Sequence, residues 1–421
     1  FTGQGFIPTV IDPVPLEDLS AIVFLGNEVV KKHPVLRDWN VVSTLSKVDH
    51  ESKITNRGKY RPYRELGFES GYPIIEGYRD SAAIGYAMKL QDPAQLHNLD
   101  ISASYSPDNS LPSGEKLHFS TEYRALNWRA RYWHNDADFY DLFGPTKRSR
   151  KGDAFILGYK RALIFDKPRV LDFTADLAYF VGLDTLPGNQ NVETLLFQNI
   201  LHGQVELNYT NTRKSMGAVD HEKGYRWDIV ASADRASNFV IPNLGDSSVI
   251  PKLRAGLDFG FALPWKHSSI WFYNSAGIAN GKRLNTLANY YFGGFGNNYV
   301  DDGDVKRYRK FYSMPGFEID DIDAQDFLKS VLEWNLPPIR FESVGTPGFF
   351  LSWIRPAIFA SGLIADPGQS FKRTFTSVGF QLDLRFTVVH RLPMTLSLGY
   401  AAGFRKGTKQ DDEIMLSLKI L

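Results

Sequence analysis

From about Tyr60 onward the chain repeats one pattern, in which apolar and polar residues alternate with a period of two. In Val378–Val388 the even positions are Val378, Phe380, Leu382, Leu384, Phe386 and Val388, and between them stand Gly379, Gln381, Asp383, Arg385 and Thr387. Ile414, Leu416, Leu418 and Ile420 alternate in the same way with Glu413, Ser417 and Lys419. As a β-strand, such a segment carries one greasy face and one polar or small face. Helical periodicity is hard to find anywhere past Tyr60, so the chain reads as all-β.

About sixteen such segments can be counted, with ends uncertain by a few residues. The first is Tyr63–Ile75, the eleventh Ser268–Gly281, the twelfth Phe327–Phe341, and the last Glu413–Leu421. Short links (Ala125–Asn127, Phe165–Arg169, Pro264–His267, Arg391–Pro393) follow even-numbered strands. Long ones (Asn135–Gly152, Gly182–Asn199, Ser237–Ile250 and, longest, Lys282–Asp326) follow odd-numbered strands. Tight turns on one side and long loops on the other are expected of a transmembrane antiparallel β-barrel in a bacterial outer membrane. An even strand number puts both barrel termini in the periplasm. The competing reading is a soluble sandwich or propeller. Against it, several segments exceed ten residues where soluble strands average about five or six. The polar faces also carry charges beside small residues, such as Asp258 between Gly256 and Gly260, as a wet lumen would allow.

Composition narrows the rest. With 48 Lys+Arg against 47 Asp+Glu, the chain lacks the basic excess of a nucleic-acid binder. It has no Cys, which excludes disulfide scaffolds and thiolate metal sites. No apolar run reaches the roughly 18 residues of a membrane-spanning helix. The chain starts at Phe1 rather than Met, as a processed or trimmed product would.

Two domains are expected. Residues 1–60, with Pro8, Pro13 and Pro15 and a basic stretch Lys47–Lys59, read as a periplasmic linker, the remnant of an N-terminal domain, or a plug; residues 61–421 read as the barrel. The Lys282–Asp326 loop is too long for an unstructured connection. Its glycines, aromatics and mixed charge suit folding back into a polar lumen. Its acids (Asp301, Asp302, Asp304, Asp320, Asp321, Asp323) fit no defined calcium-loop spacing and are read as solvated or ion-paired, so no metal is assigned.

Here the chain resembles the BamA-like superfamily of outer-membrane insertases and two-partner-secretion translocators. The loop tail Met314-Pro315-Gly316-Phe317 resembles that family's Val-Arg-Gly-aromatic loop tip, and Val331-Leu332-Glu333-Trp334-Asn335-Leu336-Pro337 resembles its Leu-Glu-aromatic-x-x-Pro strand. The resemblance, over roughly Tyr63–Leu421, implies a sixteen-stranded barrel with a lumen loop between strands 11 and 12. It implies protein or lipid insertion or translocation through a seam between the first and last strands, here Leu66 and Phe68 against Ile414, Leu416 and Leu418. Three departures stand out. Pro315 replaces the tip arginine, Ile358-Phe359-Ala360-Ser361-Gly362 lacks the carboxylate that would meet it, and the chain ends on Leu421 rather than an aromatic. Losing both charges together is coherent, since a lone buried charge costs several kcal/mol. Arg307 or Arg309 with Glu333 or Asp383 is the expected substitute, with Arg385 a further lumen residue. Ala21–Gly26 resembles the end of a propeller, a possible periplasmic module.

No phosphate loop, His-x-x-x-His pair or Gly-x-Ser-x-Gly elbow occurs, so neither enzymatic activity nor a cofactor is expected. His134 reads as a strand-end residue. Trp128, Tyr132, Trp133, Trp265, Trp271, Trp334 and Trp353 are expected in interfacial girdles. Lys147–Lys151 reads as a solvated loop tip that can meet lipopolysaccharide phosphates. The expected partners are outer-membrane lipid, an unfolded client protein and accessory subunits. Two other functions remain open: a passive or substrate-selective pore, and a membrane anchor for a periplasmic domain.

Overall fold

The computed structural model describes residues 28–34, 52, 54, 58–78, 81–139, 150–183, 197–239, 248–283, 285–295, 300–301 and 305–420. The chain divides into two units, Phe1–Tyr60 and Arg61–Leu421. Of the first, one short helical turn over residues 28–32 is the main described element. Ala21–Gly26 lies outside the described residues.

The second unit is built of strands: β1 Gly67–Tyr78, β2 Ser81–Gln91, β3 His97–Tyr105, β4 Leu117–Ala125, β5 Trp128–Asp136, β6 Asp138–Phe139, β7 Arg150–Asp166, β8 Arg169–Val181, β9 Phe197–Arg213, β10 Lys223–Phe239 and β11 Ile250–Ala262. Then come β12 Ser269–Ala279, β13 Tyr290–Phe292, β14 Val300–Asp301, β15 Ile322–Ala324, β16 Asp326–Asn335, β17 Ile339–Arg340, β18 Gly345–Thr346, β19 Phe349–Ala365, β20 Arg373–Val388, β21 Leu392–Arg405 and β22 Thr408–Ile420. Among the described residues twenty of these form one sheet, and β13 pairs β15 in a second, two-stranded one. The excess over the expected sixteen is made of β6, β14, β17 and β18, each two residues long.

Each long strand pairs antiparallel with the next long one; β12 skips the long loop to pair with β16, and β16 pairs with β19. Among the described residues no ladder joins β1 to β22. The edge of β1 instead meets β6 at Glu76 and Gly77, and the edge of β22 meets β14 in parallel at Leu418 and Lys419.

The two faces of the sheet are inverted relative to a soluble protein. The greasy positions lie outside: Leu253 is 45% exposed, Leu328 48%, Ile358 47%, Phe380 52% and Ile414 78%. The polar positions between them are inside, with Lys329, Glu333, Asp383, Gln381, Ser397 and Ser417 buried. Burying apolar surface is the main favourable term in folding in water, so a sheet that shows it on one face needs an apolar medium there. Strands of this period facing hydrocarbon outside and polar groups inside are those of a transmembrane barrel.

Several expected strand ends move. Pro62–Arg64 form a 3₁₀ turn, and Leu66 precedes β1 rather than belonging to it. The last strand begins at Thr408 instead of Glu413, because the polar run Thr408–Asp412 continues the ladder without greasy positions. With this, only two residues separate β1 from β2 and β21 from β22 although these links follow odd-numbered strands, so the alternation of loop lengths fails at both ends of the sheet.

Candidate functional site

The long loop after β12 lies against the inner face of the sheet, and its contacts define the curvature. Arg307 donates to Ser417 Oγ on β22 at 3.3 Å, while Arg309, two residues on, donates to Asp220 Oδ2 in the β9–β10 link at 2.8 Å. One 3₁₀ turn, Arg307–Arg309, thus touches both ends of the arc from β9 to β22. The sheet wraps around the loop, and its inner space is a lumen.

Arg309 is the centre of the docking. Its Nε and Nη2 donate to the two Glu333 oxygens at 2.8 and 2.6 Å, a bidentate pairing. Glu333 is wholly buried, and Tyr273 Oη donates to it at 3.4 Å. Lys306 Nζ lies 3.7 Å from Glu333 and bonds Asn335, whose amide in turn donates to Glu333. Arg355 joins Arg309 on Asp220, at 3.0 Å. Burial resists ionisation of Asp220, but Arg309, Arg355 and Lys306 outweigh it and hold its carboxyl far below the usual carboxylate range. Around these charges Tyr308 stacks on Phe359, ring centroids 4.1 Å apart, and Arg309 lies over the Tyr273 ring at 5.3 Å.

The loop tail makes a second anchor. Met314, Pro315, Gly316 and Phe317 are all buried. Gly316 has φ +86, and a Cβ there would sit 2.4 Å from the backbone N of Gly403 on β21, so only glycine fits this crossing without strain. With no arginine at position 315, the tail is held through its backbone. Glu413 on β22 accepts from the N–H of Gly316 at 3.1 Å and of Phe295 at 3.0 Å. The loop base is tied by Arg283, which reaches Asp366 at 2.8 Å and Asp323 at 3.2 Å, and by Arg373, which reaches Asp323 at 3.0 Å.

The residues singled out in the sequence divide clearly. Arg309 and Glu333 come together. Arg307 goes to Ser417 rather than to either expected acid. Asp383 accepts from Gln381 at 2.6 Å and Ser397 at 2.7 Å, and Arg385 donates to Thr395 at 3.1 Å, so neither meets the loop's arginines. Asp323 is ion-paired, as read; Asp302 and Asp304 lie outside the described residues. So do Lys147, Arg148 and Ser149, whereas Lys151 pairs with Glu115 at 3.3 Å. His134 bonds Asp153 at 2.9 Å. Of the seam residues, Phe68 is 67% and Ile414 78% exposed, Leu416 is exposed, and Leu418 sits where β14 joins β22.

Trp271 and Trp353 leave their expected girdle positions; Trp353, opposite Arg385, lines the inner cavity, and Trp271 packs under the loop. It shares the inward parity of Tyr273, stacks on that ring at 6.0 Å and donates Nε1–H to the His221 carbonyl at 3.1 Å. The sequence did not mark Asp220, Arg355 or Glu413 as partners, since each depends on a fold-back that no spacing encodes.

Beside the docked loop lies a cavity of about 600 Å³, lined by residues of β9–β12, the β9–β10 link, the loop, β16 and β19–β22. Among the described residues no cluster of acids and histidines has the grouping of a metal site.

No family model and no curated protein matches the chain. Among solved structures it is similar to CdiB from Escherichia coli (14% identity, TM-score 0.45, covering 83% of this chain and 61% of that one). It is similar to CdiB from Acinetobacter baumannii at 13% identity and TM-score 0.41, over 84% of this chain and 59% of that one. Wzi, an outer membrane protein of Escherichia coli group 1 capsule assembly described as a carbohydrate-binding β-barrel, follows at 10% identity and TM-score 0.32, over 84% and 81%. The chain spans about three fifths of the length of the two CdiB proteins.

Proposed function

We propose that this chain is an outer-membrane β-barrel that passes or inserts protein or lipid through the seam between β1 and β22, both barrel termini being periplasmic. The observation that carries this reading is the pair of unjoined edges. β1 and β22 are not laddered to each other among the described residues, and each holds only a two-residue strand of its own chain. A strand edge with unpaired N–H and C=O groups is a template for another strand. The loop docked through Arg309–Glu333 occupies part of the lumen and keeps the arc of strands in shape while the edges part.

The test uses the absence of native cysteine. One cysteine among Phe68, Ser70 and Tyr72 is combined with one among Ile414, Leu416 and Leu418. Oxidation of a pair that crosslinks stops client passage and reduction restores it; undiminished passage through a fully crosslinked barrel removes the seam mechanism. A second reading, a substrate-selective pore, is favoured by the polar cavity beside the loop. Planar bilayers separate the two: large steady openings support the pore, small erratic ones the plugged translocator.

A further inference from the structure

We infer that the lumen cavity contains a binding subsite for small oxyanions, carboxylate or phosphate, centred on Arg385, Thr395 and Lys419. The chain as a whole is nearly neutral, 48 basic against 47 acidic residues, yet the cavity lining holds nine Lys and Arg against five Asp and Glu. Most of the acids are already taken: Asp258 by Arg226, Asp228 by Arg254 at 2.7 Å, and Asp220 by Arg309 and Arg355. Asp383 is held by Gln381 and Ser397, and Glu206 remains on the β9 wall.

The surplus cations are not scattered. Arg385, Thr395 and Lys419 stand in one row across β20, β21 and β22, Arg385 opposite Thr395 and Thr395 opposite Lys419. Adjacent strands are about 4.8 Å apart, so two cations flank a hydroxyl over roughly 10 Å. Among the residues whose side chains are described neither cation has an ion-pair partner, although Asp301 stands opposite Lys419 in the β14–β22 ladder; Arg385 has only the Thr395 hydroxyl. Lys329, also on the lining, spends its ammonium on the Lys310 carbonyl at 2.7 Å. Trp353 opposes Arg385 from β19 and adds an aromatic wall. Charge-assisted bonds from a guanidinium fork, an ammonium and a hydroxyl make an oxyanion site, and a confined low-dielectric space strengthens them.

The experiment titrates the full chain in detergent micelles with inorganic phosphate, with acetate and with chloride at matched ionic strength, read by calorimetry. Wild type should bind phosphate and acetate with a dissociation constant on the order of 1 mM and chloride much more weakly. The Arg385→Gln/Lys419→Gln variant should lose at least about tenfold, about 1.4 kcal/mol. Arg161→Gln, at an exposed position of β7, a strand that contributes nothing to the cavity lining, should bind as wild type. Thr395→Val, which keeps both charges, should fall between. Equal affinity in wild type and the double variant, or no oxyanion binding by wild type, overturns the assignment; heat-modifiable migration on gels verifies that each variant is folded.

Discussion

Arg309 and Glu333 show how the chain resolves a buried charge. The pair is bidentate, and Asp220, Lys306 and Tyr273 satisfy what remains. Removing one member leaves the other uncompensated, at about 3–5 kcal/mol. Arg309→Met should therefore loosen the loop, seen as new protease cleavage between residues 300 and 320 in folded barrels; unchanged protection would show that the pair does not hold the loop. Asp220 gives a pH dependence with a definite sign. Its folded-state pKa is depressed, so its contribution is complete above the unfolded value near 3.8 and is lost as pH falls through the folded value. Loop protection in wild type should persist down to about pH 4 and weaken progressively as the pH is lowered further, while Asp220→Asn should weaken protection at neutral pH and flatten the acid response. At Gly316, φ +86 and the contact with Gly403 make Gly316→Ala a strained substitution, costing about 1–3 kcal/mol. Thermal unfolding of the refolded barrel measures it, and a neutral result would mean that the tail is not seated against β21.

At the scale of elements, alternation placed the strands because lipid outside and polar groups inside impose it on every strand. It failed where the medium changes. Thr408–Asp412 belongs to β22 without a greasy residue, and Tyr63–Leu66 has apolar residues outside β1. Trp271 was misplaced because an aromatic fits a lipid-boundary girdle and a loop-packed lumen equally well; only its parity with Tyr273 separates them. The Arg309–Glu333 partnership was legible because the loop's arginines and the acid of the strand that follows it, β16, are close in sequence. Asp220 and Glu413 were not, being far from the loop in sequence. The lipid face supports a direct prediction: Leu328→Arg, on the outer face of β16, should reduce folding into bilayers by about 2–4 kcal/mol if it lies near the midplane, whereas Leu328→Val should cost far less. Equal yields for the two in vesicle refolding would contradict the assigned face.

For the whole molecule, the edges of the sheet are its weakest elements. β1 and β22 each lack a full-length neighbour on one side among the described residues, whereas β8, β9 and β10 are paired along both edges. Hydrogen exchange follows local opening, so amides of β1 and β22 should exchange faster than those of β8–β10 in the folded barrel. All of this rests on which medium each face meets. Single cysteines at Val378, Phe380, Leu398 and Leu416, and at Arg385 and Lys419, labelled with an environment-sensitive fluorophore in vesicles, test it against a quencher confined to the acyl chains. The first four should be quenched and the last two should not; uniform protection of all six, or quenching without regard to parity, would contradict a lipid-facing sheet.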